Sequence, residues 1–242
     1  MTQFTALDKH THRLTRILTG HGAQYGENIH LVPVVIEELM HLILEYPVCL
    51  IKDNDTGQFG LQALLGFEVG GNLFLQGEQW RARYVPLHIK RQPFMVAVNA
   101  KTGEQPTPEN TVITINNNNN RVQEKQGELI FDKDGNITPF MQNMNNLLSS
   151  LVSGIIQTEE FIKTLLAHNL IEAIQLTVNI TGDSEQRFDG IYTVNEQALK
   201  ALNGETLVTL NKKGYLQACY MLLASMGQVQ KLVAMRREKH KK

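Results

Sequence analysis

The chain has 242 residues, 42% of them hydrophobic and 19% charged, with 23 Lys+Arg against 24 Asp+Glu. That length and balance fit a folded protein with a sizeable core and exclude a disordered chain, a disulfide-stapled mini-protein and a polyanion-binding domain driven by bulk charge. Its longest uncharged runs fall far short of the roughly 20 residues that span a bilayer, so no membrane span is expected. Two cysteines, Cys49 and Cys219, and a start without a basic-then-apolar leader predict a reducing, cytoplasmic setting.

Residues 1–29 are polar and rich in His and Gly, and are expected to form an N-terminal arm in which His10, His12 and His21 are solvated. A single compact domain is expected over 30–242. Pro33 is placed to open a helix through Leu39, Leu42 and Ile43 that Tyr46-Pro47 stops. Val48–Lys52 and Phe59–Phe67 form a hairpin around Asp53–Gly57. Short strands follow at Leu73–Leu75 and in the alternating stretch Trp80–Val85, then a helical turn between Pro86 and Pro93, and a strand at Phe94–Val98.

The stretch 99–126 carries five consecutive asparagines, Asn116–Asn120, read as an exposed loop near 116–126 after the strand Val112–Ile115. Glu128–Phe131 is a strand and 132–136 a turn. Thr138 caps a helix with Pro139 in its first turn and Met141, Met144, Leu147, Leu148 and Leu151 on its apolar stripe. A separate helix is expected from Thr158. Ala173–Ile180 and Phe188–Val194 pair across the turn Thr181–Gln186, a short helix spans Glu196–Leu202, and a long helix runs from Lys213 to Arg237 with a basic end. The fold class is α+β, an antiparallel or mixed sheet with flanking helices and a long C-terminal helix.

The chemistry is sparse. Gln79–Val98 holds Arg81, Arg83, Lys90, Arg91 and His88, contains no acid, and interleaves Trp80, Tyr84 and Phe94. Arginine's planar fork suits carboxylate or phosphate, and aromatics beside it can stack. The candidate ligand-binding residues are Trp80, Arg83, Tyr84, His88, Arg91 and Phe94, with His30 and Glu38 beside them. The competing reading is that these cations pair with Glu37, Glu38 or Glu45 and fasten helix to sheet. Glu38-x-x-His41 lacks the second pair and the further glutamates of a di-iron site. Asp132–Asn136 lacks Gly at the sixth and Glu at the twelfth place of a calcium loop. No metal and no cofactor is expected, no phosphate-binding glycine loop is present, and no nucleophile sits with a readable base.

The text His30-x-x-Pro33, Glu38, Tyr46-Pro47, Ala63-Leu64-Leu65-Gly66, Asn72-Leu73-Phe74, Trp80, Tyr84-x-Pro86 and Arg91-x-Pro93-Phe94 resembles the bacterial SapC-like family. The likeness continues through Gly127–Asp132, Gln157-Thr158-x-x-Phe161 and Gly214–Gly227. The resemblance implies a cytoplasmic protein of Gram-negative bacteria with no established enzymatic mechanism. Such genes stand near flavin-dependent halogenases, cupin-like oxygenases and TonB-dependent receptors, so a protein partner from one of those pathways is implied. The chain departs from the pattern in two places: Gln92 stands where an aromatic precedes Pro-Phe, and Asn116 and Asn117 stand where acids are usual. The expected function is a non-catalytic binding or accessory protein that recognises a small anionic ligand or a partner protein through the 80–94 region. The alternative is an enzyme, or an obligate enzyme subunit, in an oxygenase- or halogenase-linked modification pathway. A surface-layer structural role is disfavoured by the unsignalled start.

Overall fold

The computed structural model describes residues 4–98, 110–179 and 185–240. Residues 99–109 of the expected open stretch, most of the turn expected at Thr181–Gln186, and the last two lysines lie outside them. Along the chain run β1 (Phe4–Ala6), β2 (Arg16–Ile17), β3 (Leu31–Pro33), α1 (Leu39–Leu42), β4 (Val48–Lys52), β5 (Phe59–Leu64), β6 (Leu75–Gln76) and β7 (Gln79–Trp80). Then come α2 (Leu87–Lys90), β8 (Phe94–Val98), β9 (Thr111–Asn116), β10 (Val122–Gln123), β11 (Glu128–Leu129) and α3 (Pro139–Ala167). The chain closes with β12 (Ile171–Asn179), β13 (Glu185–Val194), α4 (Glu196–Lys200), α5 (Gly204–Lys212), α6 (Tyr215–Ser225) and α7 (Val229–His240). The class is α+β, with antiparallel sheets.

Two compact units share these elements. The first comprises 1–27, 75–80 and 87–153, the second 28–74, 81–86 and 154–242. In the first, β1-β9-β8 and β10-β2-β11 form two small sheets. Ile17, Phe94, Ile115, Ile130, Met141 and Leu148 pack together there, each almost fully excluded from water. The expected solvated arm therefore supplies two strands and part of this core. His12 is buried within it and its Nδ1 lies 3.1 Å from both the N–H and the carbonyl oxygen of Asp8.

In the second unit a five-stranded sheet runs in the order β12-β13-β4-β5-β3. The strand run Val48–Ile51 is apolar, with Val48, Cys49 and Leu50 all buried so that both faces of the strand are covered, and it pairs with β5 and β13. Pro33 does not open a helix: Leu31–Pro33 pairs with Gln62–Leu64 at the sheet's edge, where a missing N–H costs nothing. The helix that follows is short, a 3-10 turn at Ile36–Glu38 leading into α1.

Thr138 and Pro139 start α3 as expected; the Thr138 hydroxyl accepts the Met141 N–H at 3.3 Å. The two helices expected over 139–167 are one of 29 residues. No proline interrupts it, and Thr158 lies inside it, its hydroxyl donating to the Gly154 carbonyl at 2.7 Å and accepting the Ile36 N–H at 2.9 Å. Gly154 is required there, because a Cβ would lie 2.7 Å from Val35 Cγ2. The long C-terminal helix is present from Tyr215 to His240, tightened by a 3-10 turn at Met226–Gln228. Ahead of it α5 forms a further helix, capped by the Asn203 side chain, which accepts the Thr206 N–H at 2.8 Å.

Candidate functional site

The eight residues singled out from sequence are divided between the two units. Trp80, His88, Arg91 and Phe94 belong to the first unit; His30, Glu38, Arg83 and Tyr84 belong to the second. Arg91 follows α2, which Leu87–Lys90 forms between two prolines. Its Nη1 donates to the Phe94 carbonyl at 2.7 Å and its Nε to His88 Nδ1 at 3.3 Å. Two of its donors are thus used inside the loop that leads into β8. Phe94 is fully buried in the core of the first unit. Burial and the neighbouring Arg91 charge push the His88 imidazole down to about 4, so it stays neutral and accepts. Trp80 tilts against His21 with ring centroids 5.4 Å apart.

His21 in turn belongs to a buried ion cluster that sequence reasoning took for solvent. Glu27 is fully buried and accepts from Arg121 Nη2 at 2.5 Å, His21 Nδ1 at 3.1 Å and the Gly22 N–H at 2.8 Å. Burial pushes the Glu27 carboxyl up. The His21 and Gly22 hydrogen bonds and the His21 and Arg121 charges outweigh it and hold the group below its ordinary value. Arg121 also donates to the Leu18 and Gly20 carbonyls and lies over the Tyr25 ring. This cluster closes the 18–27 loop, with Arg121 Nη1 and Nη2 both donating to protein groups.

In the second unit Glu38 turns back onto its own helix start. Its Oε2 accepts the Val35 N–H at 3.0 Å, and its Oε1 accepts the Tyr84 hydroxyl at 3.0 Å. Tyr46 donates to the Tyr84 carbonyl at 2.5 Å, and His41 stacks on Tyr84 with centroids 5.0 Å apart. Burial, then the Glu38 charge and hydrogen bond, raise the Tyr84 phenol, so it does not ionise near neutrality. Arg83 is exposed, and its backbone N–H reaches Glu45 at 3.4 Å. Glu45 also pairs with Lys231. Tyr84 thus bonds Glu38 through its hydroxyl and Arg83 meets Glu45 through its backbone N–H, neither being the cation–acid pair expected from sequence, while Arg81 pairs with Glu238 at 3.4 Å.

His30 stands apart from that network. Its carbonyl accepts the Leu65 N–H at 2.7 Å and the Gly66 N–H at 3.2 Å, which pins the segment before β3 to the end of β5. Burial lowers the imidazole below its ordinary value, so it is neutral at pH 7. His30 borders a cavity of about 300 Å³ whose other walls include Lys52, Gly66, Phe67, Phe188 and Asp189. Phe67 and Phe188 meet with centroids 5.3 Å apart and form an aromatic wall. Gly66 keeps the chain tight beside it: a Cβ there would fall 1.6 Å from the Gly71 carbonyl oxygen. Ligand sites are concave, mostly apolar and carry a few placed polar groups, and this cavity has that make-up. Lys52, Phe67, Phe188 and Asp189 were missed from sequence. Lys52 and Phe67 end the two strands of the expected hairpin, but the approach of Phe188 and Asp189 depends on β13 pairing with β4, through Ile191 with Ile51.

Among the described residues no three His, Cys, Asp or Glu side chains are grouped to hold a metal ion. Both cysteines are buried, free thiols that burial pushes up to about 12, so neither offers a thiolate nucleophile near neutral pH. No helix among the described residues is long and apolar enough to cross a membrane. The chain matches no curated protein and no solved structure. One family model, described as SapC, matches residues 7–232 and so takes in His30, Glu38 and every wall of the His30 cavity. By that match, over nearly its whole length, the chain belongs to the SapC family.

Proposed function

We propose that this protein is a non-catalytic binding or accessory protein for a small anionic ligand, held in the cavity beside His30 rather than against Arg91. The observation that carries this reading is the state of the two cations. Arg91 spends two donors on Phe94 and His88. Lys52 is exposed at the cavity and forms no ion pair among the described residues. An ammonium beside an aromatic wall supplies one charge and one apolar surface, which suits a carboxylate with an apolar body. Binding is favoured over catalysis because the cavity is bordered by a neutral His30 and by no hydroxyl or thiol side chain that it could activate.

The proposal extends to setting. Two free thiols support a reducing compartment, and family resemblance supports a cytoplasmic place in a Gram-negative cell beside a halogenase, cupin-like oxygenase or TonB-dependent receptor pathway. Cell fractionation that recovers the protein in the soluble cytoplasmic pool supports this; recovery in the outer membrane contradicts it. The ligand reading is tested by thermal melts with benzoate, 3-phenylpropionate and inorganic phosphate. A ligand that binds only the native state raises the melting temperature. Wild type should shift with at least one carboxylate and Lys52→Gln should not. No shift in wild type, or a shift kept in Lys52→Gln and lost in Arg91→Ala, overturns the reading.

A further inference from the structure

We infer that the ligand of the His30 cavity is a zwitterion with an apolar or aromatic body, of the chemical class of the apolar α-amino acids. This rests on the reading above, in which the anionic group meets Lys52. It adds a second charge, an ammonium that meets Asp189.

Both Lys52 and Asp189 line the cavity and both are exposed. They stand on neighbouring strands, β4 and β13, whose register pairs Ile51 with Ile191 and Leu50 with Tyr192. Opposite charges on adjacent strands commonly pair across the sheet. Here neither forms an ion pair among the described residues. The Asp189 carboxylate is held by Gln175, whose Nε2 donates to Oδ1 at 3.0 Å, which leaves Oδ2 for another donor. The nearest acid in sequence, Asp53, turns its Oδ1 to the N–H groups of Asp55 and Thr56 and the Thr56 hydroxyl, and forms no ion pair with Lys52. His30 is neutral and adds no charge.

One cation and one anion therefore border an apolar cavity without neutralising each other. A simple anion would be drawn by Lys52 and repelled by Asp189; a simple cation would meet the reverse. Only a ligand with both charges uses both groups, and such matching selects against ligands carrying one. The Phe67–Phe188 wall takes the apolar body. Asn54, also at the cavity, offers a carboxamide to either end.

The test is calorimetric titration of the full chain with L-phenylalanine and L-leucine, each against its des-amino acid (3-phenylpropionate, 4-methylpentanoate) and its decarboxylated amine. One zwitterion should bind about tenfold more tightly than both of its singly charged analogues, the scale of one charge-assisted hydrogen bond. Asp189→Asn should erase the advantage over the acid, and Lys52→Gln the advantage over the amine. Both side chains are exposed, so both variants should fold, which circular dichroism checks. An acid that binds as tightly as its zwitterion overturns the inference and leaves the anion reading standing. An amine that binds as tightly, or the absence of binding by every compound, overturns both.

Discussion

His88, half-buried, and Glu27, fully buried, show how single groups couple this fold to pH. The His88 imidazole, pushed down to about 4 by burial and by Arg91, stays neutral in the folded chain while the unfolded chain takes up a proton near its ordinary value of about 6.5. Stability should therefore fall as pH drops from about 6.5 towards 4, by up to ~3 kcal/mol. His88→Gln should flatten that limb of a stability–pH curve from urea denaturation; an unchanged limb would contradict the assignment. Glu27 has the opposite charge type and a lower window. Its folded value is depressed, so the stabilisation is present above the unfolded value of about 4.3 and is lost as pH falls through the folded one. Glu27→Gln should leave the limb above pH 5 alone and reduce the slope below it. At neutral pH it should still cost about 3–5 kcal/mol, because Arg121 is left buried without its counter-charge. Neither group was legible as such in the sequence. His21 and Glu27 looked like polar arm residues because Arg121, their partner in charge, lies about a hundred positions away in sequence.

At the scale of elements, the legible parts were those fixed by local periodicity and turn chemistry. The Val48–Lys52 and Phe59–Leu64 hairpin, the Thr138-Pro139 helix start, and the paired strands ending at Val194 all follow from alternation, a cap or a breaker. Elements decided by distant partners were misread. Leu31–Pro33 became an edge strand because β5 pairs with it, and α3 ran through Thr158 because nothing in that stretch prevents a helix. Gly154 gives a direct test of that last point. Gly→Ala inside a helix gains up to about 1 kcal/mol from propensity alone. Here the new Cβ would crowd Val35 and Glu37, so Gly154→Ala should instead lose about 1–3 kcal/mol in chemical denaturation. A stabilised variant would show that the helix and Val35 are not in close contact.

For the molecule as a whole, the C-terminal helix separates what stabilises from what merely ties. Leu232 of α7 is fully buried, whereas Arg236 pairs with an exposed Glu68. Leu232→Ala should cost about 2–5 kcal/mol and Arg236→Ala no more than about 1 kcal/mol, compared by urea melts. The α+β class and the family were legible from sequence because they rest on element order and on motifs spread along nearly all of the chain. The cavity was not. Its residues come from β4, from the chain on either side of the β3–β5 pair, and from β13, and only the sheet order brings them together. The claim that the ligand sits there, and not against Arg91, is tested most directly by following backbone amide resonances as 3-phenylpropionate is added. The account predicts that the amides of Lys52, Gly66, Phe67 and Gly190 move in a saturable way while those of Arg91 and Phe94 stay still. Shifts concentrated at residues 88–94, or no saturable shift anywhere, would contradict it.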